Sequence, residues 1–247
     1  MRYLILSDMH ANCEALAAVL AHSRRRRFDR VLMLGDVVGY GAAPNQVIGS
    51  LLGLRRPMVA IRGNHDKVVA GIDSGASFNH AALEAARWTA RRLQERYLRY
   101  VRELPRGPVE IEPGISVCHG SPLDEDAYVL TDLDAFEIFS AHPSWLTFFG
   151  HTHVTSRFEL AGGGVRVEAL RGERGRLELD PAVRYLINPG SIGQPRDRDP
   201  RASYMTFDSA RRVVHWYRVA YPIGQAQRRI RAAGLPAMLA DRLAVGM

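Results

Sequence analysis

Cysteine, lysine and long apolar runs are all scarce in this chain of 247 residues. The two cysteines, Cys13 and Cys118, sit in no Cys-x-x-Cys pair. That excludes a disulfide framework and points to a reducing compartment. No apolar stretch approaches the length of a membrane span, and Tyr3–Leu6 near the N-terminus is a strand-sized run rather than a signal-peptide core. The expectation is a soluble cytoplasmic protein with no membrane partner. Aromatic residues make up 8% and do not interleave with basic ones, which counts against a stacking groove for single-stranded nucleic acid.

The formal net charge is +7, with Lys67 the only lysine, so arginine carries nearly all of the positive charge. The arginines are spread along the chain, as compositional bias would leave them. The summed field favours anionic substrates, and nucleic acid is a possible but less favoured partner. The densest run, Arg24 to Arg27, falls where a helix should end, and cations there complement the helix dipole.

With 47% hydrophobic and 24% charged residues, the balance is that of a globular domain with one substantial core. We expect a single domain over 1–247 with a helical, cap-like insertion at 71–105. Short aliphatic runs read as buried strands: Tyr3–Leu6, Arg30–Leu34, Met58–Ile61, Ile115–Cys118, Leu146–Phe149 and Tyr185–Ile187. Glu14–Ser23 reads as a helix with Asn12 as its N-cap, and Pro44–Leu52 as another. Within the insertion, Gly71–Gly75 reads as a loop. Asn79–Leu104 reads as one long helix, with Leu83, Ala86, Ala90, Leu93, Tyr97 and Val101 on one stripe. Beyond Arg157 the pattern becomes hairpins turning at Gly162–Gly164 and Asp208–Arg211, with strands at Ser203–Phe207 and Val213–Val219. Two short helices are expected near Gly224–Ala233 and Leu235–Leu243.

The strand-sized runs share one property: each of the first five ends in side chains able to hold a metal. Ser7-Asp8-Met9-His10 follows the first. Gly35-Asp36 follows the second, and Gly63-Asn64-His65-Asp66 the third. His119-Gly120 and Gly150-His151-Thr152-His153 follow the next two. Ligands of open α/β sheets bind beyond the carboxyl ends of strands, so five such loops would meet in one place. Imidazole with carboxylate and amide, and no thiolate, suits catalytic Mn, Fe, Co, Ni or Zn better than a closed structural zinc site. Asp8 and His10, and likewise His151 and His153, are two residues apart. On a strand that spacing puts both side chains on one face. A single Asp-x-His or His-x-His says little; five loops of this kind carry the argument.

This set of motifs, spread over roughly Met1 to Gln194, resembles the calcineurin-like metallophosphoesterase superfamily. The segments Gly35–Asn45, Asn79–Thr89 and Asn188–Tyr204 resemble a prokaryotic phosphoesterase branch of it. The resemblance implies a four-layer α/β/β/α sandwich holding two divalent metal ions. Asp8, His10 and His153 would hold the first ion, Asn64, His119 and His151 the second, and Asp36 would bridge them. It implies hydrolysis of a phosphodiester or phosphomonoester by direct attack of a metal-bridging hydroxide on a small phosphate-ester substrate. His65 would then act on the leaving oxygen or the phosphoryl group, with Asp66 orienting its imidazole. Asn12, Arg196 and Arg198 are candidate phosphate contacts, and Asn79 and His80 either cap the insertion helix or reach the site. One departure stands out. The Asp-Arg-Gly of the Ser/Thr protein phosphatases is absent, and Gly35-Asp36 is followed here by Val37-Val38-Gly39-Tyr40-Gly41. That counts against protein phosphatase activity. Two other readings remain: a nucleic-acid-processing phosphodiesterase, and a non-catalytic binding module on the same fold.

Overall fold

The computed structural model describes all 247 residues. In chain order the first half contains β1 (Arg2–Leu6), α1 (Cys13–Ser23), β2 (Arg30–Met33), α2 (Pro44–Leu52), β3 (Met58–Ala60), α3 (Asn64–Ala70), α4 (His80–Arg92), α5 (Glu95–Glu103), β4 (Val109–Glu112) and β5 (Ile115–Val117). The second half contains α6 (Asp132–Ala141), β6 (Leu146–Phe148), β7 (Thr155–Ala161), β8 (Gly164–Ala169), β9 (Arg174–Glu178), β10 (Arg184–Pro189), β11 (Ala202–Asp208), β12 (Val213–Val219), α7 (Ile223–Ala232) and α8 (Ala237–Asp241). No helix is long and apolar enough to cross a membrane.

The strands form two six-stranded sheets, ordered β3-β2-β1-β11-β12-β9 and β4-β5-β6-β10-β7-β8. Each is mixed. The parallel run β3-β2-β1 turns antiparallel at β11, and the parallel run β5-β6-β10 turns antiparallel at β7. Strand alternation assigns the layers. Tyr3, Ile5 and Leu32 of the first sheet meet Val117, Phe148 and Ile187 of the second in one apolar cluster. On the opposite face of the first sheet, Leu4, Leu6, Val31 and Met33 pack with Leu16 and Val19 of α1, Val47 and Ile48 of α2, and Ile230 of α7. On the outer face of the second sheet, Phe158 and Leu186 pack with Ala135, Ile138 and Phe139 of α6. The result is the α/β/β/α sandwich expected. Strands buried on both faces explain why the sequence shows continuous apolar runs instead of alternation.

The helix expected over Asn79–Leu104 is broken in two. Leu93 and Gln94 are extended, with ψ of 132° and 142°. The cause lies on α2: Asn45 donates through Nδ2 to Arg92 O and accepts from Gln94 N through Oδ1, at 2.8 Å each. One amide thus takes over the backbone partners that a continuing helix would need. Alanines 81, 82, 85 and 86 of α4 and Val101 of α5 join the helical-layer core. The small alanine face lets α4 approach closely, while its arginines remain at the surface.

Candidate metal centre

The parallel strands of both sheets end at one edge of the sandwich, and the loops that leave them carry the predicted residues. These loops are tightly coiled. Asp8, His10, Ala11, Asp36, Tyr40, His151 and His153 all take positive φ, between 44° and 65°. Non-glycine residues adopt that region at a cost and persist there only when surroundings enforce it. The enforcement is visible in backbone bonds that tie the loops together: Asp8 N to Gly35 O, His10 N to Asp36 O, and Gly193 N to Asp8 O. The pairs at spacing two therefore converge for a different reason from the one their spacing suggests. β1 stops at Leu6, and left-handed turns, not strand pleat, aim Asp8 and His10 inward. Gly63 lets the third loop pass against Asp36, since a Cβ there would collide with Asp36 Oδ1.

Two groups of buried ligand atoms result. Asp8, His10, Asp36 and His153 form one, and Asp36, His119 and His151 the other, with the atoms of each group within 4.8 Å of one another. Asp36 belongs to both, and Asn64 Oδ1 lies 3.2 Å from His119 Nε2. All seven candidate ligands are thereby brought together.

The imidazole tautomers follow from their outer partners. His10 Nδ1 lies 3.2 Å from Val38 O, His119 Nδ1 2.8 Å from Leu34 O, and His153 Nδ1 2.6 Å from Gln194 O. Each Nδ1 donates to its carbonyl, so Nε2 is the nitrogen each ring aims at the interior, able to ligate wherever it carries no proton. His151 is reversed: its Nε2 lies 3.1 Å from Asp126 O, leaving Nδ1 inward. His10 Nε2 and His153 Nε2 then face each other at 3.0 Å, with Asp36 Oδ2 3.4 Å from His10 Nε2. Acceptors crowded on acceptors repel unless positive charge lies among them. The donor set thus fits divalent cations of borderline hardness.

The electrostatics carry the same demand. Burial opposes ionisation of Asp36, yet the His119 and His65 imidazoles hold its carboxyl well below the usual range. Burial also opposes charging of His119, but Asp36 and Asp8 lift it to about 10, so its Nε2 holds a proton that a cation binding there would displace. Burial, followed by neighbouring positive charge, pushes His151 down to about 3. Burial lowers His10 as well, despite Asp36.

His65 sits at the mouth of the site, 3% exposed, with Tyr40 on one side at 4.3 Å between ring centroids and Phe78 at 4.5 Å. Its Nδ1 is buried without a hydrogen-bond partner. Asp66 does not orient it. The Asp66 carboxylate accepts from the backbone N–H groups of Val37, Val38 and Gly63 at 3.0 to 3.3 Å. Its role is to hold the β2 loop against α3, and burial with the Asp36 charge pushes it up to about 7.

The three candidate phosphate contacts separate. Arg196 lines a cavity of about 240 Å³ over the ligand cluster and reaches Gln194 Oε1 at 3.1 Å and the Tyr40 hydroxyl at 3.3 Å. Asn12 does not face that cavity. Its Oδ1 caps α1 by accepting from Ala15 N, and its Nδ2 donates to Gly193 O and the Tyr221 hydroxyl, so the whole amide is engaged. Arg198 also lies outside, because a left-handed turn at φ 65° carries it toward a neighbouring cleft. Asn79 caps α4 and lines the cavity, whereas His80 points to solvent. The thiols stay out of the chemistry. Burial pushes Cys118 far up, and burial with the adjacent Glu14 pushes Cys13 up to about 11.

Two contributors escaped the sequence. Tyr128 stacks on His151 at 4.1 Å between ring centroids. Lys67, one helical turn beyond Asn64, bonds Asp126 at 2.5 Å and Glu125 at 3.3 Å, and Arg62 grips Glu125 with two hydrogen bonds. This network anchors the loop whose Asp126 carbonyl sets the His151 tautomer. A lone lysine in an arginine-rich chain was the only available signal.

The sequence matches the calcineurin-like phosphoesterase superfamily domain over residues 1–212, and the chain belongs to that family of phosphoester hydrolases. The uncharacterized protein MJ0912 of Methanocaldococcus jannaschii is 34% identical over 98% of this chain and 97% of its own. A metallophosphoesterase of Sphaerobacter thermophilus superposes with a TM-score of 0.86 at 38% identity, covering 100% of this chain and 99% of its own. PH1004 of Pyrococcus horikoshii OT3, at 20% identity and a TM-score of 0.80 over 100% of this chain and 98% of its own, shares the fold.

Proposed function

We propose that the protein is a dinuclear metal-dependent phosphoesterase that hydrolyses small phosphate mono- or diesters. The observation that carries this reading is the inward-facing set of ligand atoms. His10, His119, His151 and His153, each fixed by an outer carbonyl, meet Asp8, Asp36 and Asn64 in two overlapping groups. Asp8, His10 and His153 would hold one cation, Asn64, His119 and His151 the other, and Asp36 both. Bound divalent cations supply an activated water and offset charge on the phosphoryl oxygens.

The remaining residues position the ester. Arg196 stands at the cavity wall, its charge available to a non-bridging oxygen. Burial pushes His65 down to about 4, against the pull of Asp36, so its imidazole is neutral near pH 7. It acts as a hydrogen-bond donor to the phosphoryl or leaving oxygen and is not a charged proton source. Phe78 and Tyr128 line the cavity beside the ligand cluster, their rings against His65 and His151.

The test is hydrolysis of a chromogenic bis-ester and its mono-ester by metal-stripped protein resupplied with Mn, Co, Ni, Fe or Zn. Activity is expected with at least one ion. Asp36→Asn should lose it by on the order of 10³-fold, the rate equivalent of several kcal/mol of charge stabilisation. No hydrolysis under any ion would sink the catalytic reading.

A further inference from the structure

A second cavity, of about 550 Å³, adjoins the first and shares one wall residue with it, Arg196. Its charge is unbalanced. Arg171, Arg196, Arg198 and Arg218 line it against Asp197 and Asp199. The two carboxylates are already engaged: Asp197 pairs with Arg218 through both oxygens, and Asp199 with Arg201, which lies behind it. Arg171 and Arg198 are exposed and have no carboxylate or carbonyl partner for their guanidinium groups. They come from different connections, Arg171 from the segment between β8 and β9 and Arg198 from the loop between β10 and β11. Arg198 is held there by its left-handed backbone, and its N–H donates to Gly246 O at 2.9 Å. Arg218 is only 6% exposed, and its Nε, like that of Arg196, has no protein partner.

Surplus guanidinium groups in a concave cleft bind phosphate or carboxylate through charge-assisted, often bidentate hydrogen bonds. The metal-side cavity differs, since its lining mixes Lys67 and Arg196 with Asp36, Asp73 and Asp126. We propose that the Arg171–Arg198 cleft binds a second anionic group of the substrate, so that the preferred phosphate esters carry another phosphate on the portion extending past Arg196. This rests on the phosphoesterase reading, and it names a substrate class within it.

The experiment compares two product-like probes, adenosine 3′,5′-bisphosphate and adenosine 5′-monophosphate, by calorimetric titration of the metal-loaded protein. The bisphosphate should bind roughly ten- to hundredfold more tightly, the equivalent of one or two hydrogen bonds to charged groups. The advantage should shrink as salt rises. In the double variant Arg171→Ser/Arg198→Ser the two affinities should converge, with the melting temperature reported alongside to show a folded protein. Equal affinities in the unaltered protein, or a preference that survives in the double variant, would overturn the proposal. The same preparations are assayed on the chromogenic ester. Hydrolysis without a bisphosphate preference removes the cleft and leaves the phosphoesterase reading intact. Absence of hydrolysis with every metal removes that reading and the substrate role of the cleft with it.

Discussion

The loops at the strand ends and the walls around them are built on opposite plans. In the nest of ligand loops the candidate ligands other than Asn64 are buried, the backbone is forced into left-handed turns, and each of the four candidate ligand imidazoles has a carbonyl behind it. The walls come from elements remote in sequence: Phe78 before α4, Tyr128 before α6, and Arg196 after β10. These residues are partly exposed, and ring contacts with His65 and His151 hold Phe78 and Tyr128 while the Arg196 guanidinium bonds Gln194 and Tyr40. Rigid placement of metal-binding groups is what a reaction needs, whereas looser walls adapt to a substrate. Under the proposed function, the chemistry would reside in the nest and the substrate selectivity in its walls.

Four substitutions sharpen or break that division. The largest effect belongs to His65→Ala, which should lower kcat by about 10²–10³-fold, as removal of a transition-state hydrogen-bond donor does. Metal content should stay unchanged, and loss of metal from this variant would make His65 a ligand and contradict the scheme. Next comes Lys67→Met, which frees the loop that sets His151. We expect roughly tenfold weaker binding of one of two ions, with Lys67→Arg recovering part of it. Equal weakening of both would show that the network supports the whole nest.

Glu125→Gln tests the wall by stability. Burial opposes the charge of Glu125, but Arg62 and Lys67 hold its carboxyl below the ordinary range. A depressed carboxyl contributes stability above its unfolded pKa and loses it as pH falls through the folded one. The variant should therefore be less stable by on the order of 1–3 kcal/mol at pH 7. The gap in melting temperature should close on acidification below the ordinary glutamate range, and a gap that does not change with pH would exclude the charge as its cause. The smallest effect is that of Asn12→Ala, at about 1 kcal/mol of stability from the lost helix cap, with KM unchanged. A raised KM would return Asn12 to the site.

The same division decides what the sequence reveals. The seven ligand positions are legible because strand-sized runs and metal-competent residues are both local patterns, and each ligand directly follows its strand. Their convergence is legible only as an outcome, since the left-handed turns that aim Asp8 and His10 depend on backbone bonds to another loop. α1 and its Asn12 cap, and α2 with proline at its start, follow from local rules. The break between α4 and α5 does not, because the amide that causes it comes from Asn45. Arg196 and Arg198 look equivalent in sequence, yet only Arg196 reaches the cavity over the ligand cluster, while Arg198, with its left-handed backbone, lines the neighbouring cleft and not that cavity. Asp66 follows His65 directly in sequence, but three backbone N–H groups claim its carboxylate.

In the proposed scheme Asp36 joins two sets of ligands into one site for a pair of cations. The most direct measurement is elemental analysis of protein saturated with manganese and freed of loose metal. Close to two ions per chain are expected, falling in Asp36→Asn. One ion per chain, or two ions retained without the Asp36 carboxylate, would contradict the scheme.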